Sequence, residues 1–174
     1  MKKLLCAAVA ALTMLSLASC SRTSDDSTVP EGMVRASGDA ATYTLYVPDD
    51  WQIDLQTGVT TAHVSTGDPS NISAAAWDLE HTDDTVDTWW DVNRSELESA
   101  FTDYTEISVR DTRLGGETAK EYVYTARLAD VEYKYMQTAA VHGGSVYVIT
   151  YTALPDVFDS HTEDVERIIA EFRF

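Results

Sequence analysis

One nine-residue run constrains this chain more than any other. From Ser145 to Ala153, the residues Val146, Tyr147, Val148, Ile149 and Tyr151 load both faces of an extended segment with apolar or aromatic groups. A strand apolar on both faces has to be covered on both sides, so it sits in the interior of a sheet. The turn glycines Gly143 and Gly144 precede it and Pro155 stops it, which fixes its length.

The other strands read around that centre. Tyr43, Leu45 and Val47 alternate along Thr42 to Val47, and Pro48-Asp49-Asp50 closes that run as a turn before Trp51. Strand-like runs at about Gly58 to Ser65 and Asn71 to Asp78 flank Thr66-Gly67-Asp68-Pro69, whose Gly and Pro mark a turn. Ile107 and Val109 mark a further strand, and Gly115-Gly116 a tight turn. Two long strands, Thr118 to Leu128 and Glu132 to His142, are joined by Ala129-Asp130-Val131 and pair as a hairpin.

Two helices complete the pattern. Asp84 is placed to cap a helix with Val86, Trp90, Asn93, Leu97, Ala100 and Phe101 at helical spacing, ending near Asp103. Ser160-His161-Thr162-Glu163 has the form of a capping box opening a second helix, on which Val165, Ile168, Ile169 and Phe172 make one stripe. Hairpin links dominate and strands do not alternate regularly with helices. The expected class is α+β, a mostly antiparallel sheet with helices packed on it.

The first 19 residues read as a lipoprotein signal peptide. Lys2 and Lys3 form a basic head, and the apolar run Leu4 to Leu17 has signal-peptide length and is too short for a membrane span. It ends in Leu17-Ala18-Ser19-Cys20, which resembles the lipobox of bacterial lipoproteins. That resemblance implies cleavage before Cys20 and acylation of its thiol, palmitate included, on the outward face of the cell membrane. More than one acyl chain is needed for a stable anchor. Cys6, the other cysteine, leaves with the leader, so the mature domain has neither a disulfide nor a cysteine metal site.

Residues 20–41 are Ser, Thr, Asp, Gly and Pro with few large apolar groups, and are expected to be a flexible tether spanning on the order of 25 Å. The globular domain is expected at 42–174. The chain carries a net charge of −17, and cleavage removes two lysines and no acid. So acidic a surface repels nucleic acid and anionic lipid head groups, which leaves the acyl chains as the membrane contact.

The order of motifs carries a family resemblance. Tyr46-Val47-Pro48-Asp49-Asp50-Trp51, a midchain helix, Leu114-Gly115-Gly116-Glu117-Thr118-Ala119 entering a long strand, and Val148-Ile149-Thr150-Tyr151-Thr152-Ala153 before a helix ending in Phe172-Arg173-Phe174 together resemble the PsbP-like domains. That family includes bacterial lipoproteins and shares with the Mog-type Ran-binding factors an α/β/α sandwich, so the resemblance implies helices packed on both faces of the sheet. The resemblance covers about residues 42 to 174. It implies a binding or accessory subunit with no shared catalytic apparatus; a photosystem or Ran-binding role does not follow from fold.

Candidate sites are few. His63, His81, His142 and His161 lie in separate segments, without the spacing of a zinc site. Asp78, Glu80, His81, Asp83, Asp84 and Asp87 form the densest acidic cluster but lack the glycine and distal glutamate of a helix-loop-helix calcium loop. Helix-dipole stabilisation accounts for them, with adventitious calcium as the alternative. Gly143-Gly144-Ser145 has Tyr147 where a nucleophile elbow needs glycine, and no lysine or helix follows Gly115-Gly116 as a phosphate loop requires. No cofactor motif is present.

The aromatics point elsewhere. Trp89 and Trp90 are adjacent on one helix and cannot both face the core, so Trp89 is either a partly buried flank covering the sheet edge or, with Trp51 after its turn, a candidate partner surface. The reading that follows is a membrane-anchored, extracytoplasmic, non-catalytic binding module for a protein or envelope component. An envelope hydrolase using carboxylates converged by folding is the alternative, and an acidic cation-responsive domain a third.

Overall fold

The computed structural model describes residues 29–56, 59–81 and 83–174. The leader, Cys6, Cys20 and the first part of the expected tether lie outside the described residues. The described chain forms a short ladder of β1 (Met33–Arg35) with β2 (Tyr46–Pro48), and a seven-stranded sheet of β3 (Gln52–Gln56), β4 (Val59–His63), β5 (Asn71–Asp78), β6 (Thr102–Leu114), β7 (Glu117–Leu128), β8 (Val131–His142) and β9 (Ser145–Ala153). Helix α1 (Val86–Ala100) lies between β5 and β6, and α2 (Thr162–Ala170) follows β9. Every pairing in the large sheet is antiparallel.

The sheet order is β3-β4-β5-β9-β8-β7-β6, with β9 fourth of seven. The doubly apolar run is therefore the central strand, as its pattern requires. Its side chains divide between two clusters: Tyr147, Ile149 and Tyr151 join one with Leu45, Ile72, Phe158, Val165 and Ile168, while Val146 and Val148 join another with Trp90, Tyr122, Tyr124 and Tyr135. Each cluster takes one helix's buried residues.

Three two-residue hairpins set the register of β6 through β9. Leu114 faces Glu117, Leu128 faces Val131, and His142 faces Ser145. Turns this tight need positive φ at both central residues: Gly115 and Gly116 have 57° and 88°, Gly143 and Gly144 have 59° and 86°, and Ala129 and Asp130 have 49° and 67°. The link between β7 and β8 is thus Ala129-Asp130, and Val131 already belongs to a strand.

Several local expectations are corrected. Residues 33–37, expected in the tether, contain β1, and Met33, Ala36 and Ser37 are buried. Their polar neighbours hid a strand that gains its stability from pairing with β2. The run Thr42 to Val47 forms a strand only from Tyr46, because Thr44 is bridged to Arg173 by N–H to O bonds of 2.7 and 3.1 Å. Strand β3 was not foreseen.

Helix α1 is capped by Thr85, whose hydroxyl accepts from the Thr88 N–H while Thr88 Oγ1 accepts from the Thr85 N–H. Asp84 closes the preceding turn instead, accepting from the His81 N–H at 3.2 Å. The helix stops at Ala100, since Phe101 is already extended. No side chain caps α2, because a 3-10 turn at Phe158–His161 runs directly into it and leaves no extended residue from which a serine could fold back. Among the described residues no helix is long and apolar enough to cross a membrane.

Candidate functional site

Strand β5 outlasts its neighbour. Its pairing with β4 ends at Val59 and Ala75, whereas β9 accompanies it to Asp78. Trp77, opposite Val146, therefore lies beyond the last β4 pair, and its side chain is 53 % exposed. The chain then leaves through Leu79 to Asp84 and enters α1, which returns past the same end of β5.

An open groove of about 680 Å³ forms between these parts, lined by Trp77, Leu79, Trp89, Val92 and Val146 on its apolar side. Asp78, Glu80, His81, Asp84 and Glu96 add charge or polarity, and among the described residues no lysine or arginine lines it. Trp89 is half-buried, its ring 6.1 Å from that of Trp90, and Val92 is 63 % exposed one helical turn on. Large aromatic and aliphatic groups facing water beside one another are the composition of a contact surface.

The walls are held from below. Trp90 is the buried residue of α1 and stacks on Tyr122 of β7. Asp78 Oδ1 accepts from Ser145 Oγ at 3.0 Å and the Leu79 N–H donates to Gly144 O, so the loop starts from a fixed point on the β8–β9 turn. Lys120 Nζ meets Asp87 at 3.2 Å and Asp111 at 3.0 Å, tying the first turn of α1 to the sheet. Those two carboxylates hold the Lys120 ammonium above its usual range.

The sequence candidates separate under this geometry. Trp89 lines the groove. Trp51 does not stand at a surface: it is buried, with its ring edge-on to His161 at 6.3 Å, because the turn that precedes it folds it into the larger cluster. The acidic cluster is dispersed among partners, Asp78 to Ser145, Asp84 to the loop backbone and Asp87 to Lys120. Among the described residues no three His, Cys, Asp or Glu side chains are gathered so as to hold a metal ion.

The histidines likewise stand apart. His63 contacts Gln52 and Asp54, His142 contacts Glu117 and stacks on Phe174, and His161 contacts Asp68 at 2.8 Å. Glu121, the one buried carboxylate among the described residues, is engaged by both Arg110 Nε and Arg110 Nη2, at 2.6 and 2.8 Å. Its two oxygens are committed to that fork.

Trp77 is the largest of the groove residues that the sequence reading missed, with Leu79, Val92 and Glu96 among the others. Strand alternation from Ile72 and Ala74, both buried, already places it on the other face of β5. What alternation does not tell is whether α1 covers that position, and α1 instead packs toward β6, β7 and β8.

Comparison with solved structures now decides the fold. The cyanobacterial PsbP protein of Synechocystis sp. PCC 6803 superposes with a TM-score of 0.61 at 14% identity, covering 90% of this chain and 98% of that one. The fold is PsbP-like. LpqN of Mycobacterium tuberculosis, described as involved in cell envelope biogenesis, gives 0.58 at 19% identity over 81% of this chain and 89% of its own. PA94 of Pseudomonas aeruginosa gives 0.57 at 16% identity over 78% and 92%. No protein-family model and no curated protein matches the chain. At these identities the likeness is one of PsbP-like architecture, a mostly antiparallel sheet with two helices.

Proposed function

We propose that this chain is an envelope lipoprotein, cleaved before Cys20 and held by its acyl chains on the outward face of the cell membrane, whose PsbP-like domain is an α/β/α sandwich. The domain acts as a non-catalytic accessory module and binds a protein or envelope component in the Trp77–Trp89 groove. The observation that carries this reading is an open groove walled by the exposed Trp77 and the half-buried Trp89, with α1 docked on the core through Trp90. The lipobox-like Leu17-Ala18-Ser19-Cys20 supports the anchor. The PsbP-like likeness, which includes one protein described as acting in envelope biogenesis, supports an accessory role.

Membrane fractionation and crosslinking in the native cell test the two halves separately. Cys20→Ala releases the chain from the membrane fraction; retention there refutes the anchor. A protein crosslinked to the parent chain is lost in Trp77→Ala and Trp89→Ala variants that still fold; its undiminished capture by both refutes the groove.

A further inference from the structure

The groove's chemistry restricts what enters it. Among the described residues its charged lining is acidic, with Asp78, Glu80, Asp84 and Glu96 set around Trp77 and Trp89 and neither lysine nor arginine opposing them. The whole chain repeats that sign, at −17. An anionic occupant meets like charge along the lining, while a cation meets carboxylates and two tryptophans, the side chains whose rings best attract it.

Length excludes a small cation as the sole occupant. Thr88 and Glu96, both lining the groove, are eight residues apart on α1, which at 1.5 Å per residue is about 12 Å. The apolar wall between them, Trp89 and Val92, calls for aliphatic surface as well as charge. Lysine and arginine in a polypeptide supply both, laying methylene stems on the indoles while the charged heads reach the carboxylates.

Resting on the groove reading above, we infer that the occupant is a short basic segment of a partner protein, with lysine or arginine interleaved with aliphatic residues. The segment lies along α1 between Trp89 and the end of β5 that β4 leaves unpaired, with its cations toward Glu80 and Glu96. Electrostatic attraction of this kind speeds encounter and weakens with salt.

Selection from a randomised phage-displayed decapeptide library on the full chain, purified in detergent, with counter-selection on Trp77→Ala/Trp89→Ala, tests this directly. The inference expects enriched peptides with net positive charge and aliphatic residues, at least tenfold weaker binding to Asp78→Asn/Glu80→Gln/Glu96→Gln, and a loss of similar size between low and high salt. Enrichment of neutral or acidic peptides that still require the tryptophans overturns the inference and leaves the groove reading standing. Absence of any tryptophan-dependent peptide overturns both, and basic peptides that bind the tryptophan variant equally reveal only general attraction to an acidic protein, which also overturns it.

Discussion

The Trp90 indole lies flat on the Tyr122 ring, centroids 3.6 Å apart and planes 10° from parallel. Of the fifteen residues of α1 it is the buried one, so this stack docks the helix and fixes where Trp89 and Val92 face. Trp90→Ala is expected to cost about 3 to 5 kcal/mol of stability, the range for removing a buried indole. Denaturant unfolding measures it, and a loss under about 1 kcal/mol shows that α1 is held by other contacts.

The hairpin at Ala129 and Asp130 is built from residues that dislike its geometry. Both have positive φ, 49° and 67°, and a side chain there costs roughly 1 kcal/mol or more. The tight hairpins at Gly115-Gly116 and Gly143-Gly144 use glycine pairs. Asp130→Gly is therefore expected to stabilise the domain by about 1 kcal/mol, a rise in the denaturant midpoint with unchanged slope. A fall in midpoint contradicts the strain.

Acid sensitivity should centre on Asp68. Its carboxyl lies below the ordinary 3.8, chiefly through Ser70, whose N–H donates to Asp68 Oδ1 at 3.0 Å, with His161 adding to it. A carboxylate depressed in the folded state stabilises above its unfolded pKa and loses that contribution as pH falls through the lower folded value. Asp68→Asn is expected to destabilise at pH 7 by about 1 to 3 kcal/mol, with the deficit shrinking below pH 3.8. A deficit independent of pH removes the carboxylate from the explanation.

Alkaline behaviour follows the aromatic interior. Burial pushes the Tyr104 and Tyr151 phenols up to about 12, and Tyr122, Tyr124 and Tyr135 also upward. Raised groups of this kind contribute stability that is complete below their unfolded value near 10 and lost as pH rises through the folded values. Phenolate absorbance from these residues is expected to appear together with loss of near-ultraviolet circular dichroism. Their early, separate ionisation below pH 11 contradicts the burial.

The centre of this fold was legible and its margins were not. Tyr147 and Val148 point to opposite clusters, and a strand so loaded has one place in a sheet. The glycine pairs announced their hairpins because positive φ leaves a sequence mark. Strand β1 left none: Met33 and Val34 are two apolar residues in a polar stretch, ordered by a partner thirteen or so positions away. Trp51 looked available because a turn precedes it, and is buried because that turn folds inward. Trp89 was legible from its neighbour Trp90, whereas Trp77 required knowing which part of the sheet α1 leaves open, a property of tertiary packing alone.

The groove is tested most directly by a photo-crosslinking residue placed at Val92, with the same residue at Ile107 as the comparison, in the membrane-anchored chain in its own cells. Both positions are exposed, at 63 % and 53 %, but Val92 lines the groove and Ile107 lies on the edge strand β6. If the groove is the contact surface, a discrete adduct forms from Val92, is abolished by Trp77→Ala, and does not form from Ile107. Adducts from Ile107 alone, or from both positions regardless of Trp77, contradict it.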